Sequence, residues 1–265
     1  MLYQNRLMYS LKKIFWKAFT IIDGRLKFPQ LKKGEIGIQL GFDMTAPITS
    51  DLFTMQRRVG LKGRIIGIDP DPFNHQIAKN IINKKELNIL LIKKGTYSKK
   101  DKVEFLIGEK SSWNQLEIVP IDSSVDFIAN KLTVEINTLD SIIKEKKVDI
   151  LKIGHINLTI NGAEYNTLLG MDYILKTCTN LSLTLVAGRY DESGTINGKK
   201  DVDLIIPLLR SYGFTTKFKR INELFWWGFM VKFLVNRKWI YNQPNFGIIM
   251  AGKGNKIPKW YQSFS

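Results

Sequence analysis

Short apolar runs alternate along the chain with amphipathic stretches, the pattern of a parallel sheet joined by crossover helices. Ile36–Leu40 reads as the first strand. Leu52, Met55 and Val59 mark a helical face, with Pro47 where a first turn tolerates it and Gly60 and Gly63 closing the helix before a strand at Arg64–Ile68. Phe73, Ile77 and Ile81, four apart, predict a helix from Phe73 to Asn83. Strands follow at Ile89–Ile92 and Val103–Ile107, a helix at Thr138–Lys146, a strand from Asp149 and a helix at Ala163–Lys176. Then come a strand at Leu181–Ala187, a polar loop to Gly198, a helix at Asp201–Tyr212 and strands at Phe214–Phe218 and Phe246–Ala251. The expectation is one doubly wound α/β domain over residues 35–265. Residues 220–245 exceed a hairpin loop of about 2–5 residues and read as an insertion.

Composition bounds the function. At 265 residues and 44% hydrophobic the chain can bury a large core, which excludes a disordered or fibrous protein. One cysteine, Cys178, closes no intramolecular disulfide, and two histidines offer little to a metal. A reducing, cytoplasmic setting is the default reading. Lysines interrupt the apolar start, and Lys232 interrupts Leu224–Val235, so neither a secretory signal nor a membrane-spanning helix is expected. Of the net charge of +16, residues 1–34 carry +7 and residues 217–265 carry +8. The same ends hold Trp16, Trp226, Trp227, Trp239 and Trp260, and helical spacing in Arg6–Phe19 gathers Leu7, Leu11, Ile14 and Phe15 on one side. Such basic aromatic ends suit an anionic membrane surface or a lipid-linked acceptor; packing on the sheet as a lid or dimer contact is the plainer alternative.

Ligands of open α/β sheets bind at the carboxyl ends of the strands, so the strand-end turns carry the candidate chemistry. Gly41 allows a tight turn and close backbone approach, but no G-x-G-x-x-G accompanies it, which weakens a dehydrogenase reading. Asp69, ending the second strand, can accept two hydrogen bonds from ribose hydroxyls or serve as a turn residue. The ordered segments IGIQLGFDMT, IIGIDPDPFNHQIAKNI, IKKGTYSKKDKVEFLI, VEINTLDSII and VDILKIGHINLTINGAEYNTLLGM together resemble an FkbM-type methyltransferase. The resemblance implies a mostly parallel, seven-stranded Rossmann-like sheet with an antiparallel last strand. It also implies S-adenosylmethionine as cofactor and methyl transfer to a hydroxyl of a sugar, glycan or lipid-linked saccharide.

By that resemblance Gly41 falls on the glycine of the cofactor loop, Asp43 beside the methionine part, Asp69 on the ribose ligand, and Gly95 and Thr96 next to the adenine. Gln39 stands where an acid is common, and Phe42 and Thr45 replace small residues. Residues 157–164, NLTINGAE, fit ungapped on a family segment reading KIDVEGAE, so Thr159 and Asn161 replace acids while Gly162, Ala163 and Glu164 match. A gapped register would align Lys152 and Ile153 instead. Thr159, Asn161 and Glu164 are expected to face the methionine end or the acceptor.

His155 titrates in the range of a general base but sits in an apolar strand, where a core role is the alternative; Glu164 equally suits a first helical turn. His75 reads as surface, Asp140 as a first-turn carboxylate of a helix capped by Thr138, and Ser111–Trp113 as an ordinary surface loop, with reach over the cofactor as the alternative. The competing functions are a non-catalytic binding protein of the same fold, favoured by the altered motifs, and, with less support, an RNA methyltransferase, favoured by the basic charge.

Overall fold

The computed structural model describes residues 27–45, 47, 50–109, 111–120, 127–188, 196, 198–220 and 247–256. The amphipathic stretch Arg6–Phe19 and the insertion, but for residue 220, lie outside them. Five parallel strands form most of the main sheet: β1 (Ile36–Leu40), β2 (Arg64–Ile68), β3 (Ile89–Ile92), and, after a smaller sheet, β8 (Ile153–Leu158) and β9 (Ser182–Ala187). β10 (Thr215–Arg220) and β11 (Gly247–Gly252) complete it, in the order β10-β11-β9-β8-β1-β2-β3, with β11 antiparallel to both neighbours. This is the expected seven-stranded sheet with an antiparallel last strand.

Strand alternation divides the core in two. Ile38, Leu40, Ile66, Ile68, Ile156, Leu158, Leu183 and Leu185 face α3 (Leu139–Glu145), α4 (Glu164–Leu169), α5 (Asp172–Thr177) and α6 (Asp201–Ser211). The other face meets α1 (Asp51–Val59) and α2 (Pro72–Lys85) through Ile65, Leu52, Met55, Ala78 and Ile82. α2 buries Asn74, Ala78 and Ile82, one position on from the expected stripe, and leaves Phe73 58% exposed. The reason is polar: Asn74 Oδ1 accepts the Met44 N–H at 3.0 Å and fixes the helix's rotation.

Two further differences bear on the site. The expected helix over 163–176 is two short helices, because Asp140 N donates to Gly170 O at 3.2 Å and the Asp140 carboxylate takes the N–H groups of Tyr173 and Ile174, which a continuous helix would need for itself. Asp140, rather than serving its own helix, caps α5 by accepting from Tyr173 N and Ile174 N at 2.8 and 3.1 Å. Between β3 and α3 lies a second sheet, β4 (Gly95–Thr96), β5 (Asp101–Gly108), β6 (Gln115–Leu116) and β7 (Phe127–Asn137), ordered β4-β7-β5-β6; the expected strand Val103–Ile107 is its β5 and not a strand of the main sheet. Val103, Phe105, Leu116 and Ile136 pack it onto Ile160 and Ala163, in the turn after β8. It therefore sits over the carboxyl edge of the main sheet.

Candidate functional site

The turn after β1 is folded down onto its neighbours. Gly41 has φ +70°, and a Cβ there would lie 2.2 Å from Thr159 O. Its close backbone approach is thus to the turn after β8. Gly41 N donates to Ile68 O at 2.8 Å and Phe42 N to Asp69 Oδ2 at 2.9 Å. Of the two residues that replace small ones, Phe42 is buried and with Met44 fills core beneath the turn, while Thr45 is exposed. Asp43, half-buried, accepts from Thr45 N at 2.8 Å.

Asp69 lies at the end of β2, buried, with Oδ1 accepting from Asp71 N at 2.8 Å. Burial pushes its carboxyl up to about 7, against the pull of the two backbone donors. His75 is not a surface residue: its Nε2 lies 2.8 Å from Asp69 O, its ring 5.5 Å from that of Phe42, and burial lowers its pKa. Asp71 caps α2 by accepting from Phe73 N, and its other oxygen accepts from the buried Asn114 Nδ2 at 2.9 Å.

The turn after β8 is held from within. Glu164 accepts from Ile160 N at 3.0 Å and from Gly162 N at 2.8 Å, one per carboxylate oxygen. That is the structural half of its sequence reading. Asn161, at φ +51°, donates through Nδ2 to Ser112 O at 2.9 Å and Asn114 O at 2.7 Å. Thr159 Oγ1 lies 3.0 Å from Gly41 O.

Two expectations change character. Gln39 is fully buried, its Nε2 donating to Gly41 O at 2.6 Å and Thr159 Oγ1 at 3.0 Å while Oε1 accepts from Asn157 Nδ2. It ties two turns together, and an ionised acid in its place, having only acceptors, could not donate to that carbonyl. His155 is mid-strand on the α1 face, both ring nitrogens on hydroxyls: Ser182 Oγ at 2.8 Å and Thr184 Oγ1 at 3.1 Å. Burial, helped by the Lys256 charge, drops it to about 3, so it is a neutral core residue and no base. Gly95 and Thr96 belong to the second sheet, where Thr96 O accepts from Thr167 Oγ1 of α4 at 2.9 Å. The sequence reading missed Asn114, Asp71 and Asn157; the doubled Asp-Pro of IDPDP was the one signal available for Asp71.

The FkbM methyltransferase domain matches residues 37–215, from β1 to the start of β10. The chain belongs to the FkbM methyltransferase family. Members of this family are S-adenosylmethionine-dependent methyltransferases, so the carboxyl edge is the place to test for the cofactor. No curated protein matches the chain by sequence. Similar solved structures include a putative rRNA methylase from Clostridium thermocellum, at 12% identity over 88% of this chain and 94% of that one, TM-score 0.48. A SAM-dependent methyltransferase from Aquifex aeolicus is 14% identical over 86% and 87% of the two chains, TM-score 0.40. A putative methyltransferase from Streptococcus mutans in complex with SAH is 12% identical over 88% and 96%, TM-score 0.45.

The residues present in this FkbM methyltransferase fit a nucleoside. A carboxylate has about four acceptor positions; at Asp69 two are taken by backbone donors and the Asn74 side chain bonds it as well, which leaves about one for a ribose hydroxyl. Among the described residues no group of three or more His, Cys, Asp and Glu gathers to hold a metal, and no helix is long and apolar enough to cross a membrane.

Proposed function

We propose that the chain transfers the methyl group of S-adenosylmethionine to a hydroxyl of a sugar, glycan or lipid-linked saccharide. The observation that carries the reading is the Asp69 carboxylate at the end of β2, locked by accepting from Phe42 N of the turn after β1 and from Asp71 N of its own turn, within the matched domain. Asp69 would hold the ribose, with Gly41 and Asp43 on the turn beside it. The cofactor supplies an electrophilic methyl on a cationic sulfur. What the chain supplies is alignment, since transfer needs the acceptor oxygen in line with that methyl; as the O–C bond forms and the C–S bond breaks, the hydroxyl proton passes to water. Thr159 and Asn161 do not titrate and Glu164 is engaged by backbone donors, so the three act by shaping the turn that the acceptor would approach. The hydroxyl acceptor class follows from the family rather than from any one contact.

The charge at both ends supports a peripheral contact with anionic membrane, and the single buried cysteine a reducing, cytoplasmic setting. Incubation with methyl-labelled cofactor and a panel of free and lipid-linked saccharides tests the first reading. Label in the saccharide fraction, lost in Asp69→Ala, is expected; label only in RNA would transfer the chain to the alternative class. Flotation with anionic vesicles at low salt, lost with neutral vesicles, tests the second, and no flotation in any condition refutes it.

A further inference from the structure

The turns after β2 and β8 belong to the two strands that flank β1. Residues Ser112–Asn114 of the second sheet touch both. On one side the Asn114 side chain donates to Asp71 Oδ2 at 2.9 Å while its own oxygen accepts from Gly108 N at 2.9 Å. On the other, the carbonyls of Ser112 and Asn114 receive the two hydrogen bonds from Asn161 Nδ2. Two strand spacings separate those turns, about 10 Å, so this short segment crosses above the carboxyl end of β1. That end carries Gly41, and Asp69 lies beside it.

The crossing also accounts for a departure from the family pattern. An acid is usual at position 161, yet here two carbonyl oxygens converge on the side chain, and only a donor satisfies them. The left-handed backbone at Asn161 is one that asparagine tolerates better than a glutamate would. Gln39 shows the same exchange of an acid for an amide facing a carbonyl, at Gly41 O. Both exchanges fasten the edge of the sheet.

We infer that Ser112–Asn114 is a latched roof over the cofactor cleft, with Asn161 and Asn114 as positioning residues whose hydrogen bonds must open for S-adenosylmethionine to enter and S-adenosylhomocysteine to leave. The inference rests on the cofactor reading above. Escape of the product is then limited by the latch, and weakening the latch raises the dissociation rate.

The test measures dissociation of S-adenosylhomocysteine by displacement, together with amide hydrogen exchange over residues 111–116, in the full chain. Asn161→Asp keeps the shape and removes the donor; Asn161→Gly keeps the left-handed backbone and removes the side chain, and so covers the case in which the aspartate variant fails to fold. Both should dissociate about 10- to 100-fold faster, the worth of one to two hydrogen bonds. In the wild type, bound S-adenosylhomocysteine should slow exchange in the roof. Unchanged dissociation in the variants, or binding that leaves exchange at 111–116 untouched, overturns the roof while the cofactor reading stands. No binding to the wild type overturns the cofactor reading and the roof with it.

Discussion

Replacing Gly41 by alanine should destabilise the protein even with no ligand present. Gly41 holds φ +70°, which costs an L-residue about 1–2 kcal/mol. The new Cβ would stand 2.2 Å from Thr159 O, well inside contact distance, so the two turns must separate. Separation loosens the bonds that Gly41 O accepts from Gln39 Nε2 at 2.6 Å and Thr159 Oγ1 at 3.0 Å, each worth about 1 kcal/mol. Reduced freedom of the unfolded chain returns about 0.4–1 kcal/mol. The net loss is about 2–4 kcal/mol, or about 4–16 °C in Tm for a chain of this size. Thermal melting followed by circular dichroism without cofactor measures it. A Tm within about 2 °C of wild type would refute the reasoning and return Gly41 to the role of a residue kept for a ligand alone.

His155, held near 3 by burial, contributes stability that is fully present above about pH 6.5 and lost as the pH falls towards 3. Its ring protons should not titrate between about pH 5 and 8 in an NMR series, and a midpoint near 6.5 for both histidines would contradict its core assignment. Glu164→Gln keeps one acceptor where two backbone N–H groups need two, so it should lower stability by about 1–2 kcal/mol in denaturant unfolding. Unchanged stability would show that the carboxylate serves something other than its own turn.

Much of the main sheet was legible because buried strands and helix faces repeat with periods that side-chain geometry imposes. Ile36–Leu40 and Arg64–Ile68 fall where the apolar runs put them. The phase of α2 was not legible, since a hydrogen bond from the backbone of Met44 to Asn74, and no apolar residue, sets it. The break within 163–176 depends on Asp140, remote in sequence, which bonds Gly170 O and the N–H groups of Tyr173 and Ile174. Of the second sheet only β5 was legible, from the run Val103–Ile107, since β4 and β6 are two residues each and show no period. At the site, residue types marked the right turns but not their partners. Gln39, Asn161 and Glu164 looked like groups waiting for a ligand, and all three are bound to backbone atoms, Gln39 to the turn after β1, Asn161 to the segment before β6 and Glu164 to its own turn.

The cofactor claim is most directly tested by calorimetric titration of the intact protein with S-adenosylmethionine and S-adenosylhomocysteine on both sides of neutrality. Asp69 titrates at about 7, and only its ionised form keeps an acceptor for a ribose hydroxyl. Binding should therefore tighten as the pH rises through 7, and Asp69→Ala should weaken it by about 1–3 kcal/mol and flatten that dependence. No heat of binding from the wild type with either compound at about millimolar concentration, where a Kd of 1 mM already corresponds to about −4 kcal/mol, would contradict the account.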